Sequence, residues 1–109
     1  MTPPPADFSR SPLPSSLAND PNVQDLVKLF IAEMPGRIKF ANDAFIRGDR
    51  LRLQFWAHQL KGCAGGYGFA QITHEASALE EAIIRNESTN NVFAALLRVF
   101  ELCERTTLE

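Results

Sequence analysis

The sequence predicts an all-α protein, an antiparallel up-and-down four-helix bundle, and three observations support this fold class. Apolar residues recur at helical spacing in four successive segments. No segment shows the period-2 alternation or the turn signals of a β-hairpin. The connections between segments are short, which favours antiparallel neighbours. With 109 residues, the chain is long enough for one domain around a single core.

An N-terminal segment, residues 1–19, precedes the predicted bundle, which spans residues 20–107. Five of the seven prolines fall within the first 14 positions, interspersed with serines. Such a composition cannot bury enough apolar surface to fold alone. We therefore expect a flexible Pro/Ser-rich segment, or one that lies against the domain through Phe8 and Leu13.

The first predicted helix begins at Asn19 or Asp20, either of which can cap it, and ends at Gly48. Pro35 lacks an N–H and should kink or divide this helix. Because the apolar stripe keeps its phase across Pro35, we favour a kink. The predicted inner face consists of Val23, Leu26, Val27, Phe30, Met34, Ile38, Ala41 and Phe45.

Three further helices follow. Asp49 can cap the second, the third runs from about Phe69 to Asn86, and the fourth begins near Ser88 or Thr89. Their predicted inner faces are Leu53, Trp56, Ala57, Leu60, Ala64 and Tyr67 in the second, Ile72, Ala76, Leu79 and Ile83 in the third, and Val92, Phe93, Leu96, Val99, Phe100 and Cys103 in the fourth.

Composition narrows the classes of partner. The net charge is −2 and the basic residues are scattered, so nucleic acid is not an expected ligand. There is no secretion signal and no run long enough to span a membrane, so we expect a cytoplasmic protein.

Cys63 and Cys103 lack metal-site spacing and are interpreted as reduced thiols. We expect no metal, no cofactor and a monomer, although an outer apolar patch could also serve a homodimer.

The second helix carries a histidine on its outer side. A helix advances by about 100° per residue, so His58 and Gly62 point about 140° and 180° away from Leu53 around the helix axis. Leu51 and Phe55 lie on the same outer side, where polar residues would be expected. Exposed apolar patches of this kind tend to mark protein contact surfaces. His58 is therefore predicted to face a partner.

Several glycines follow this histidine closely in the sequence. Four of the six glycines in the chain lie between positions 62 and 68. An interior helical glycine costs about 1 kcal/mol relative to alanine. Gly62 follows His58 by one turn and removes a side chain that would cover it. Gly66 and Gly68 are better explained as the end of the helix. A phosphate-binding loop is disfavoured because no Lys-Ser/Thr pair follows.

The chemistry expected of His58 is nucleophilic. A neutral imidazole can attack phosphorus and carry the group as a phosphoramidate. Lys61, one turn later, would offset the phosphoryl charge, and Gln54, one turn earlier, could hydrogen-bond the ring or the phosphoryl oxygens. Hydrolase triads and metal sites are disfavoured, since no suitable partner lies at the required spacing. His74 lacks such surroundings and is interpreted as structural or solvated.

The run 57–64, Ala-His-Gln-Leu-Lys-Gly-Cys-Ala, followed by Gly68, Ile72, Ala76 and Leu79-Glu80, resembles the signature of histidine-containing phosphotransfer (HPt) domains. The family pattern is approximately His-x-Leu-Lys-Gly-Ser/Ala, a glycine six residues after Lys-Gly, and an apolar spacing that ends in Leu-Glu. Cys63 stands where the family often has serine. The resemblance extends over about residues 21–100 and is most specific around His58.

This resemblance implies a phosphorelay carrier, not an enzyme in its own right, that exchanges a phosphoryl group with the aspartyl phosphate of receiver domains. His58 would be phosphorylated and Lys61 would support it. The magnesium and most catalytic groups would belong to the partner, a response-regulator receiver domain or a hybrid histidine kinase. The surface expected to dock the partner consists of Leu51, Gln54, Phe55, Gly62, Gly65 and Phe69.

Three alternatives stay open at this point. The chain could be a binding bundle that sequesters a receiver domain without phosphotransfer, although the presence of both His58 and Lys61 argues against this. It could be an HPt module excised from a hybrid sensor kinase. A kinase dimerisation helix pair is disfavoured, because such kinases usually place an acidic residue directly after the histidine and this chain has Gln59.

Overall fold

A computed structural model describes residues 11–108, which contain five α-helices. The helices are α1 (Gln24–Ala32), α2 (Met34–Ile46), α3 (Arg50–Ala64), α4 (Ala70–Ile84) and α5 (Thr89–Arg105). A 3₁₀ turn, Gly65–Tyr67, connects α3 to α4, and two short strands, β1 (Leu13–Pro14) and β2 (Thr106–Thr107), flank the helices in sequence. The prediction of an all-α protein is confirmed, while the predicted count of four helices is too low by one.

The additional helix arises because the first predicted helix is divided. Glu33 separates α1 from α2, two residues before Pro35. Proline cannot donate to the carbonyl of Ile31, so the hydrogen-bond ladder is interrupted there. The favoured expectation, one kinked helix, is therefore wrong, and the structure has two separate helices here. The helix also begins later than expected, at Gln24, after a turn in which Asp20 Oδ1 accepts the N–H of Asn22.

The predicted starts of the second and fourth helices, which are α3 and α5 in the structure, are confirmed by their caps. Asp49 Oδ1 accepts the backbone N–H of Arg52 at 3.0 Å, and Ser88 Oγ accepts that of Asn91 at 3.1 Å. Each cap satisfies an amide that has no partner within its own helix. Gly48, just before the first of these caps, has φ +69°, the left-handed conformation that glycine adopts without strain.

The core lies between α2, α3, α4 and α5, and Val27 and Phe30 of α1 are buried against it. Helix α3 packs against α4, α4 packs against α5, and α2 contacts both α3 and α5. The predicted inner faces are largely confirmed, because nearly all of their residues are buried or half-buried. The exceptions are Leu26 and Phe93, which are exposed, although the Phe93 ring stacks on Phe45 with centroids 5.1 Å apart.

Part of the N-terminal segment packs against the helices, so residues 13–18 adopt the second of the two expected arrangements, contact with the domain through Leu13, and not a flexible segment. Leu13 is buried, and β1 pairs in parallel with β2, placing Leu13 opposite Thr106. The N–H of Ser16 donates to the carbonyl of Gly68 at 3.0 Å. The segment is ordered by backbone partners that its composition does not reveal. The predicted contact through Phe8 lies outside the described residues.

The two cysteines are free thiols in the described structure, Cys103 buried and Cys63 half-buried. Burial raises the pKa of the Cys103 thiol to about 12 and also raises that of Cys63, which disfavours the reactive thiolate in both. Within residues 11–108, no three His, Cys, Asp or Glu side chains are grouped so that they could hold a metal ion. None of the helices described is long and apolar enough to cross a membrane.

Candidate functional site

His58 lies on the outer face of α3, as its helical phase predicts. The inner face of this helix is buried, with Leu53 and Leu60 each about 1% exposed. The His58 side chain, in contrast, is 62% exposed. Because helix geometry fixes the direction of each Cβ, burying the apolar stripe turns the imidazole outward. The ring is therefore accessible to another macromolecule.

A buried carboxylate on the neighbouring helix holds this ring. Glu80 of α4 has a side chain that is only 11% exposed, and its Oε2 lies 2.7 Å from Nδ1 of His58. Glu80 follows buried Ala76 by four residues and precedes buried Ile83 by three. That phase directs its side chain from the buried stripe of α4 toward α3. The packing of α3 on α4 thus fixes the orientation of the imidazole.

Lys61 completes a three-residue cluster. Its Nζ donates to Glu80 Oε1 at 2.7 Å, so the two carboxylate oxygens serve two different partners. The Lys61 side chain is 35% exposed and lies one helical turn from His58, on the same side of α3. The cluster, which we name the His58 cluster, consists of His58, Lys61 and Glu80.

The charge of Glu80 determines which nitrogen of His58 carries the proton. The hydrogen bond from Lys61 is the main influence that holds the pKa of the Glu80 carboxyl below its usual range, and the hydrogen bond with His58 acts in the same direction. An ionised carboxylate can only accept hydrogen bonds. In the neutral imidazole, Nδ1 of His58 therefore carries the proton and donates it, which leaves a lone pair on Nε2. No hydrogen-bond partner of Nε2 occurs among residues 11–108.

The apolar surroundings of His58 are also on the surface. Leu51 and Phe55 are 78% and 59% exposed. Both line a shallow groove with His58 and Gln54, and Phe40 of α2 contributes to the same groove. The Gln54 side chain is half-buried there and makes no hydrogen bond with the imidazole or with any other residue of the described chain. An aromatic and aliphatic surface thus adjoins the exposed imidazole.

The glycines near His58 have different surroundings. A Cβ added at Gly62 would meet no atom within 4 Å, so this position faces open space. A Cβ at Gly65 would lie 3.1 Å from Thr73 Oγ1, a tight contact with α4. Both residues are exposed. Gly62 therefore leaves the surface beside His58 uncovered, whereas Gly65 also permits close packing of the turn.

Phe69 is not part of this surface, and its assignment to the predicted docking surface is wrong. It is 1% exposed and its ring stacks on Phe30, with centroids 5.8 Å apart. The helical phase of α3 does not extend to this position, because Gly68 has φ +89° and turns the chain before α4. The turn directs Phe69 into the core.

Glu80 is the member of the His58 cluster that the sequence does not identify as a site residue. In the sequence it stands only as the end of the apolar spacing in the HPt pattern. A signal was present, since Glu80 falls on the buried stripe of its own helix, four residues after Ala76. A carboxylate at such a position needs a partner when buried. The sequence could not identify His58 and Lys61 as those partners.

Comparisons with known proteins agree with this geometry. The family model of the Hpt domain matches residues 25–106, which include α2 to α5, all of α1 except Gln24, and the whole His58 cluster. No match was found among curated proteins or solved structures. Residues 11–18, which pack against the Gly68 turn and β2, precede the matched region.

Proposed function

Because the chain belongs to the Hpt domain family, whose members act in histidine phosphotransfer within phosphorelays, we propose that it carries a phosphoryl group on His58. The group would be accepted from, and returned to, the aspartyl phosphate of receiver domains. One observation supports this most strongly: an exposed imidazole has its Nδ1–H bound by a buried carboxylate, and its Nε2 is free of partners within residues 11–108.

In the proposed reaction, the lone pair of His58 Nε2 attacks the phosphorus of the aspartyl phosphate. The N–P bond forms as the P–O bond to the aspartate breaks, and the aspartate carboxylate leaves. The ring gains positive charge during this attack, and the Glu80 carboxylate stabilises it through Nδ1–H. The reverse reaction transfers the group to a second receiver domain. This chain supplies the nucleophile, and the magnesium chemistry belongs to the receiver.

Lys61 would offset the charge of the phosphoryl group. An ammonium group has three donors, so one can remain on Glu80 Oε1 while another turns toward a phosphoryl oxygen. Without this cation, the phosphoryl group on Nε2 would lie near the negative charge of Glu80. Lys61 therefore separates two groups of like charge as the phosphoryl group arrives.

The proposed docking surface consists of Leu51, Gln54, Phe55, Gly62 and Gly65, around His58. Its apolar side chains suit an apolar patch on a receiver domain, and Gly62 leaves room for the loops of the receiver active site. We further propose that α2 to α5 form an up-and-down antiparallel bundle that supports this surface. In this proposal the chain acts as a monomeric carrier.

The test is incubation of the full chain with a receiver domain that carries labelled aspartyl phosphate. We expect the label to transfer to the chain and to be acid-labile and alkali-stable, as a phosphoramidate is. His58→Gln should abolish labelling, and the matched variant His74→Gln should retain it. Equal labelling of the His58→Gln variant, or binding of the receiver without any transfer to the wild type, would overturn the proposal.

A further inference from the structure

The groove beside His58 contains a cation that the proposed phosphotransfer does not use. Arg52 belongs to the first turn of α3 and lines the groove together with Phe40, Leu51 and Phe55. Its side chain is 60% exposed. At 1.5 Å per residue, its Cα lies about 9 Å from that of His58 along the helix axis. It is therefore within the area that a docked domain would cover.

Three contacts hold Arg52 in place. Asp49 Oδ2 lies 3.3 Å from the guanidinium Nε, and Asp49 Oδ1 accepts the backbone N–H of the same residue. The guanidinium carbon lies 5.8 Å from the centroid of the Phe40 ring, within the range of a cation–π interaction. Of the three guanidinium nitrogens of Arg52, only Nε is paired, with Asp49. The two terminal nitrogens have no acceptor within the described part of the chain. Those nitrogens can form a two-donor contact with a carboxylate.

We propose that Arg52 recognises a carboxylate side chain on the surface of the docked receiver domain and so contributes to the choice of receiver. This inference rests on the proposed function. Charge complementarity supports a carboxylate, because the pre-oriented guanidinium is a cation with free donors at the edge of an apolar surface. A carboxylate there would be partly desolvated by Phe40 and Leu51, which strengthens its pairing with arginine. Charges at an interface edge mainly set partner choice and encounter rate.

The test uses a phosphorylated receiver domain to which the wild-type chain couples, with Arg52→Glu as the variant. A glutamate three residues after the Asp49 cap is compatible with a helix N-terminus, so the fold should persist. We expect kcat/KM for transfer to fall about tenfold through KM, with kcat unchanged, and the deficit to shrink at high salt. Arg52→Lys should give an intermediate value, because lysine lacks the fork of donors.

Arg47→Glu is the matched control, since Arg47 is exposed at the end of α2, lies outside the groove and undergoes the same charge change. It should transfer as the wild type does. A set of receiver variants, each with one surface Asp or Glu changed to Lys, should include one that restores transfer to Arg52→Glu.

An unchanged KM for Arg52→Glu, an equal deficit in Arg47→Glu, or the absence of any restoring receiver variant would overturn the Arg52 inference alone. Failure of the wild type to accept phosphoryl groups would instead overturn the proposed function.

Discussion

The chain contains two histidines, and both side chains are exposed, but within the described part of the chain only one has a side-chain partner. His58 on α3 binds a buried glutamate that is also paired with a lysine. The His74 side chain on α4 forms no hydrogen bond or ion pair within residues 11–108. Its neighbour Glu75 instead accepts a bond from Arg98 at 3.3 Å, and both of those side chains are partly exposed.

This difference indicates what would make an accessible imidazole the positioned nucleophile that we propose. Among residues 11–108, nothing fixes the ring of His74 or selects the nitrogen that carries its proton. At His58, the buried carboxylate does both, because an ionised Glu80 can only accept from Nδ1. Exposure is common to the two sites, so it is the buried partner on the adjacent helix that distinguishes them.

Glu80→Gln should have the largest effect of the substitutions that leave His58 in place. The amide carries no charge and can donate as well as accept, so it neither stabilises the ring nor selects one tautomer. A hydrogen bond to a charged group contributes about 1.5–3 kcal/mol, which corresponds to a loss of about 10–100-fold in the rate of phosphoryl transfer. The rate is measured with a labelled receiver domain, and the tautomer of His58 by ¹⁵N NMR.

Glu75→Gln is the matched control, because it removes a carboxylate from the same helix next to the other histidine. It should leave transfer unchanged. If Glu80→Gln transferred phosphoryl groups as fast as the wild type and kept a single Nδ1–H tautomer, the buried carboxylate would not be what distinguishes His58 from His74.

The outward position of His58 could be predicted because it depends only on local geometry. Once Leu53 and Leu60 are assigned to the core, the direction of every other side chain on α3 follows from the period of the helix. The same reasoning fails at Phe69, because Gly68 ends the regular geometry and the phase is lost. The period of a helix predicts where each side chain points within that helix, and it does not predict the direction of side chains after the helix ends.

Glu80 and the N-terminal segment illustrate a second limit. The contact of Glu80 with His58 joins residues 22 positions apart and depends on how α4 packs on α3. The pairing of Leu13 with Thr106 uses backbone groups, which every residue possesses. Both contacts join segments that are far apart in the sequence. The pattern of side chains along one segment therefore cannot predict them.

Lys61→Ala should have a smaller effect than Glu80→Gln, because Glu80 still orients the ring. The side chain is partly exposed, and we expect transfer to slow by about 2–10-fold through loss of charge compensation. Removal of its bond to Glu80 should lower the free energy of unfolding by about 1 kcal/mol and leave the protein folded. Transfer kinetics and thermal unfolding measure the two effects. Lys39→Ala, which removes an exposed lysine paired with Asp43, is the control.

A Lys61→Ala protein that no longer folds would show that this lysine is structural. Transfer at the wild-type rate would show that Glu80 alone accounts for the difference between the two histidines.

Gly62→Gln should have the smallest effect and tests whether open space beside His58 matters. No atom lies within 4 Å of the added Cβ, and replacing a helical glycine removes an intrinsic cost of up to about 1 kcal/mol, so stability should be unchanged or slightly higher. The longer side chain would obstruct a docked receiver, and we expect KM for transfer to rise a few-fold.

The matched control is Gly36→Gln on α2, which also faces open space but lies outside the groove. If both variants transferred equally well, the bare backbone at Gly62 would have no part in docking, and the contrast between His58 and His74 would rest on the Glu80–Lys61 pair alone.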